Sequence, residues 1–230
     1  MMLWHKIYVI TESQRIFNLT KAKELIRRTD RVSGFDLDTP GCISFSGGRT
    51  SGYMLRQILD YYDNKLPDDV RVVFSNTGKE MHETLDFVRD CEQHWNVKIH
   101  WIEWDEENKI VEVNHNSASR NGEPYDKLIT KRKFLPNPVT RYCTSELKIK
   151  PMKDFMLSQG FNYWVNYVGL RYDEPHRVAR LSRAKDKERW DSEAPLHIEK
   201  KTVRDVAAFW KNNDFDLRLP GINGKTPLGN

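Results

Sequence analysis

The run Ser46-Gly47-Gly48-Arg49-Thr50-Ser51 combines backbone freedom with hydroxyl and cationic side chains, the set a phosphate or sulfate needs around it. It follows the short apolar strand Cys42-Ile43-Ser44-Phe45 and precedes Tyr53, Met54, Ile58 and Leu59 at helical spacing. A loop between a strand and a helix presents unpaired backbone N–H groups and the positive end of the helix dipole, which together bind anions. Gly47 and Gly48 permit close backbone approach and positive φ, while Ser46, Thr50 and Ser51 supply hydroxyls. Arg49 either adds charge or faces solvent. Two glycines alone make only a tight turn, so residues elsewhere must carry the reading.

Three further groups supply them. In Phe74-Ser75-Asn76-Thr77-Gly78, Ser75 and Thr77 can hydrogen-bond a ribose or base, and Glu80 either caps the next helix or receives a proton. In Arg141-Tyr142-Cys143-Thr144-Ser145-Glu146-Leu147-Lys148-Ile149-Lys150-Pro151, Cys143 stands at a predicted helix N-terminus among cations. That setting favours the thiolate, which attacks sulfur or ligates a metal; the alternative is a buried small hydrophobe. Lys148 and Lys150 can hold phosphate or sulfate oxygens, or form a solvated helix face. In Val168-Gly169-Leu170-Arg171-Tyr172-Asp173-Glu174, Gly169 allows close approach of a ligand and Arg171 is a candidate clamp for phosphate or sulfate.

The elements that must position these residues read as an α/β fold. Ile16, Leu19, Ala22, Leu25 and Ile26 predict a helix over Ser13 to Arg28, followed by a polar connector to Pro40. Strands are predicted at 42–45, 70–74, 97–104 and 163–168, and helices after Ser51 and at 81–95, 145–157 and 203–210. Strands joined by helical crossovers imply a doubly wound, mainly parallel sheet with helices on both faces and ligands at the carboxyl ends of the strands. The stretch from Asp105 to Pro138, rich in Asn, Ser, Gly and Pro, lacks regular periodicity and reads as a long loop or small insertion.

Bulk properties narrow the class. With 230 residues, 38% hydrophobic and 30% charged, the chain suits one main folded domain. No apolar run is long enough to span a membrane, and the expectation is a cytoplasmic protein. The three cysteines, Cys42, Cys91 and Cys143, are odd in number and widely spaced, which argues against a disulfide framework. A net charge of +4 is modest, although Lys131-Arg132-Lys133, Arg141, Lys148 and Lys150 make the middle of the chain basic, as an anionic ligand, nucleic acid or a solvated surface would each allow. Of the seven tryptophans, Trp95, Trp101, Trp104 and Trp164 could stack on bases, though packing in the core is the favoured use of most of them.

Taken together, the blocks resemble the phosphoadenosine phosphosulfate (PAPS) reductase branch of the PP-loop, or adenine nucleotide alpha-hydrolase, superfamily, in its phage and bacterial form. SGGRTS is similar to the SGGxDS loop of that superfamily, with Thr50 in place of the usual Asp. Asn76-Thr77-Gly78 followed by Glu80 resembles the element beside the nucleotide. The Cys143 block, the Gly-x-Arg-x-Asp-Glu segment at Gly169 and Arg171, and Ala194-Pro195-Leu196-His197 with Val203 to Trp210 complete the likeness over about residues 41–210.

The resemblance implies a Rossmann-like PP-loop domain over 41–230, preceded by a helical extension over 1–40 and carrying its insertion at about 105–138. It implies binding of ATP or PAPS by Ser46, Gly47, Gly48, Arg49, Thr50, Ser51, Asn76, Thr77, Gly78 and Gly169, with Mg2+ admitted beside the nucleotide and Cys143, Arg171 and Lys148 at the reaction centre. ATP-dependent adenylylation or sulfur transfer, with nucleic acid as one acceptor, and PAPS reduction to sulfite are its enzymatic versions. Familiar PAPS reductases carry their catalytic cysteine in a C-terminal Glu-Cys-Gly-Leu-His segment, whereas Lys211 to Asn230 contains no cysteine. The expectation is a chain truncated at its C-terminus, with an iron–sulfur cluster admitted only in a longer form that adds cysteines to Cys143. Thr50 and the missing cysteines also motivate a non-enzymatic alternative, a nucleotide-sensing or nucleic-acid-binding module.

Overall fold

A computed structural model describes residues 31–135, 142–181 and 188–219. The helix expected over Ser13 to Arg28 and residue Arg141 lie outside these residues. In chain order the elements are β1 (Gly41–Ser44), α1 (Arg49–Tyr61), β2 (Val70–Asn76), α2 (His82–His94), β3 (Ile99–Asp105), β4 (Lys109–Val113) and α3 (Glu123–Arg132). They continue as a composite helix α4 (Tyr142–Thr144, a π turn over Ser145–Ile149, then Lys150–Ser158), β5 (Trp164–Val168), α5 (Pro175–Leu181), β6 (Trp190–Glu193), α6 (Pro195–Ile198) and α7 (Val203–Lys211).

The strands form one sheet in the order β4-β3-β2-β1-β5-β6, and every pair is parallel except β3 with β4. The chain runs outward from β1 to β3, then returns to the other side of β1 for β5 and β6. This reversal makes a topological switch point between β1 and β5, where doubly wound sheets open a crevice at their carboxyl ends. The expected fold class is the one observed.

Strand periodicity explains how both faces are covered. Ile43, Val72, Phe74, Trp101, Val165 and Tyr167 point into one core with Met54, Leu55, Leu85, Phe87 and Trp210 of α1, α2 and α7. The alternate residues Cys42, Val73, Ile102 and Trp164 point into a second core with Phe155 and Met156 of α4. Trp101 and Trp164 are buried to 2% and 1% exposure, so their rings pack the interior and do not meet a base. Each such large apolar side chain stabilises the fold by about 1.5–3 kcal/mol.

Three differences from the sequence reading have local causes. The helix expected to begin at Ser145 begins at Tyr142 and carries the π turn; Pro151 lacks an N–H for the Leu147 carbonyl and its ring crowds it, so the wider turn just ahead relieves the conflict. Of the two readings of the 105–138 stretch, a long loop or a small insertion, its described residues depart from the plain loop, because β4 pairs antiparallel with β3 and α3 follows it. The sequence reading also lacked β6, a four-residue strand that finds its partners on the edge of β5.

His100 on β3 is buried, stands 2.7 Å from Glu112 Oε1 and packs against the Phe155 ring. Burial lowers its pKa, Glu112 opposes that shift, and Lys98 and Arg71 reinforce it. The unfolded chain therefore takes up the proton more readily, so stability falls as pH drops through about 6.5, the ordinary histidine value, and is unaffected above it. Thermal unfolding at about pH 7.5 and about pH 5.5 checks this: the midpoint lost on acidification should be smaller in His100→Asn than in the parent protein.

Candidate functional site

Helix α1 begins directly after Gly48, so the N–H groups of its first turn, from Arg49 to Ser51, have no intrahelical acceptor and face the crevice end of β1. The Ser51 hydroxyl closes the loop. It lies 2.9 Å from Ser46 Oγ, accepts the N–H groups of Ser46 and Gly48 at 3.2 and 3.3 Å, and can donate to the Gly48 carbonyl at 2.9 Å. Ser46 is exposed at the rim, whereas Thr50 and Ser51 are buried. Gly47 has φ of 74°, the left-handed region in which a side chain is strained.

The end of β5 meets this loop across the switch point. A Cβ on Gly169 would stand 3.1 Å from the Ser51 Cα and 3.2 Å from its N, so glycine is what lets the two chain segments touch. Two residues further on, Arg171 Nη1 donates to the Thr50 hydroxyl at 3.1 Å. The same Nη1 stands 3.3 Å from Glu174 Oε2, and Nε lies 3.0 Å from Asp173 Oδ1. Glu174 also accepts the Arg171 backbone N–H at 3.1 Å, which fixes the turn carrying the arginine.

At the end of β2 the side chains divide into two roles. Asn76 is fully buried: its amide donates to Glu103 and the Ser119 carbonyl at 2.7 and 2.8 Å, and its Oδ1 accepts the Gly78 N–H at 3.1 Å. These bonds shape the turn and leave the Asn76 side chain to its neighbours. Thr77 and Lys148 both donate to Glu80 Oε1 at 3.1 Å, and the Ser75 hydroxyl reaches the Lys148 carbonyl at 3.4 Å. Met81, not Glu80, occupies the cap of α2, so the capping role considered for Glu80 is replaced by a Thr77–Glu80–Lys148 cluster.

The local basicity of the sequence is largely paired. Lys131 meets Glu106 at 3.2 Å, Arg132 and Lys150 share Glu146, and Lys148 meets Glu80. Charge here therefore gives less of a nucleic-acid patch than the sequence suggested.

Comparison with known proteins supplies the family. The model of the phosphoadenosine phosphosulfate reductase domain matches residues 41–217. The chain belongs to this PAPS reductase domain family.

The relatives differ in how much of their length the chain covers. A nin region protein of Escherichia phage lambda is 29% identical over 194 residues, which cover 77% of this chain and 61% of that protein. A protein of Methanocaldococcus jannaschii is 28% identical over 144 residues, covering 63% and 25%. The chain thus spans about three fifths of the first relative and a quarter of the second. The phosphate complex of the PAPS reductase from Candida auris superposes with a TM-score of 0.51 at 15% identity, over 85% of this chain and 86% of that one.

Within this PAPS reductase-like domain, the structure brings Ser46 to Ser51, Gly169 and Arg171 together, and sets Thr77, Glu80 and Lys148 at the neighbouring strand end. Arg49 is different. Its guanidinium is held by Asp216 at 2.7 and 2.6 Å, an ion pair with a segment outside the loop. Cys143 is half-buried and packs beside Leu128, Tyr142 and Tyr125, on the side facing α3. Cys42 and Cys91 are buried in opposite cores, where burial raises both thiol pKa values. The described cysteines do not fit an iron–sulfur cluster, and among the described residues no group of three or more His, Cys, Asp or Glu is placed to hold a metal ion. Nor is any described helix long and apolar enough to cross a membrane.

Sequence reasoning quoted Asp173 and Glu174 in the Arg171 block without giving them a role and did not name Asp216; these are the carboxylates that pair with the two arginines. The Asp-Glu pair following Arg171 was a visible signal; nothing in the local sequence marked Asp216.

Proposed function

We propose that the chain binds an adenine nucleotide with its anionic end in the 46–51 loop, and acts at the α-phosphate of ATP. The observation that carries this reading is the 3.1 Å contact of Arg171 with Thr50, which sets a guanidinium fork against a helix N-terminus at the switch point. An acceptor atom attacks the α-phosphorus, the bond to the bridging oxygen breaks, and pyrophosphate leaves with the electron pair. The first-turn N–H groups of α1 and the Arg171 fork stabilise the charge that grows on the departing oxygens. Lys148, one strand away and balanced by Glu80, supplies a second cation to the same mouth. Nucleic acid is one acceptor class this reading admits for adenylylation or sulfur transfer, and any Mg2+ would arrive with the nucleotide.

The family's description favours a second reading, PAPS reduction: a thiol sulfur attacks the sulfonyl sulfur, the sulfur–oxygen bond to the phosphate breaks and the adenosine bisphosphate leaves, and a second thiol then attacks the sulfonated thiol, forming a disulfide and releasing sulfite. Calorimetry with ATP and with PAPS, followed by product assays, separates them. Binding in the range of about 1–100 μM is expected for at least one nucleotide. Pyrophosphate release supports the first reading and thiol-dependent sulfite release the second. Binding without either product supports a nucleotide-sensing module, and absence of binding of both nucleotides overturns the nucleotide reading itself.

A further inference from the structure

Arg49 is the first residue of α1, and its side chain turns away from the crevice to a distant segment of the chain. Asp216 receives it through two bonds, and Arg49 Nη2 also donates to the Leu217 carbonyl at 3.2 Å. The backbone is held as well, since Trp210 Nε1 donates to the Arg49 carbonyl at 2.9 Å. One residue before Asp216, Phe215 anchors the segment in an aromatic cluster, with its ring 6.2 Å from Phe87, 5.6 Å from Trp95, 5.8 Å from Trp210 and stacked on His94 at 4.4 Å. Gly52, one turn into α1, lies against the same indole, where an added Cβ would stand 2.8 Å from Trp210 Cζ2.

The first turn of α1 is thus fastened at Arg49 and at Gly52. Two fixed points on one turn set its direction, and with it the direction of the N–H groups that open into the loop. Both partners of the ion pair are about one-third exposed, at 32% and 33%, so the pair contributes little to global stability. Its consequence is local order.

We propose that Asp216 is a positioning residue for the nucleotide loop, acting through Arg49; this rests on the reading of residues 46–51 as the nucleotide cradle. Asp216→Asn keeps the shape and removes the charge. Two measurements test it, in the full chain: hydrogen exchange of the loop amides without ligand, and calorimetric affinity for ATP and PAPS. The expected result is faster exchange at residues 47–51 and affinity weakened about fivefold, with the unfolding midpoint nearly unchanged. Arg49→Met should weaken binding to a similar degree, the double variant should add nothing further, and Asp216→Glu should restore part of the affinity.

Unchanged loop exchange in Asp216→Asn overturns the proposal. So does tighter binding, which would mean that Asp216 merely masks a ligand-binding Arg49. Additive losses in the double variant would likewise show that the two residues act separately. If the parent protein binds neither nucleotide, the cradle reading fails on its own, while the exchange measurement still decides whether Asp216 orders the loop.

Discussion

Arg171→Ala is expected to weaken nucleotide binding about thirtyfold, the equivalent of about 2 kcal/mol for losing a charge-assisted contact to phosphate or sulfate. The side chain is 19% exposed and stands between Thr50 on one side and Asp173 and Glu174 on the other. Its removal does more than delete a cation. Asp173 loses its arginine beside the loop, and Glu174 keeps Arg177 as its ion-pair partner among the described residues, so the field at the loop turns less favourable to a second negative charge. Arg171→Lys should recover part of the loss, because it restores the charge and not the planar fork. Calorimetric titration with ATP and PAPS checks both variants, and an Arg171→Ala protein that binds as tightly as the parent would remove the residue from the site.

Gly47→Ala is expected to destabilise the folded protein by about 3 kcal/mol, from left-handed strain of about 1 kcal/mol and overpacking of about 1–3 kcal/mol. The sequence suggested that this glycine serves the anion. The structure adds a packing reason, since a Cβ there would stand 2.7 Å from Thr84 Cγ2, 3.1 Å from Phe74 Cε2 and 3.2 Å from Val88 Cγ2. Gly160 provides the comparison: its φ is 86°, and nothing lies within 4 Å of an added Cβ. Gly160→Ala should therefore cost only about 1 kcal/mol of strain. Denaturant unfolding of the two variants separates strain from crowding, and equal losses would contradict the packing account.

The pattern of short apolar strands and helical spacing was enough to read strand, loop and helix around Ser46 to Ser51, because those properties are local and periodic. The same holds for β2, α2, β3, β5 and α7. The edge strands were not legible. Lys109–Val113 and Trp190–Glu193 carry polar residues and little alternation, and they are strands because β3 and β5 offer open hydrogen-bonding edges. Such a reason lies in the partner, not in the segment.

By itself the sequence determined the doubly wound class, the glycine-rich loop at 46–51 and the family blocks that accompany it, since each depends on residue type at fixed short spacing. Only the tertiary structure decided which blocks meet. The sheet order places β5 beside β1, and this brings Arg171 to Thr50 over 121 positions of sequence. The packing of Phe215 under α1 brings Asp216 to Arg49 over 167 positions, giving the arginine an ion-pair partner far away in sequence. The direction taken by α4 puts Cys143 beside α3. Contacts of this kind depend on strand order and on which way a helix faces, and local periodicity carries no record of either.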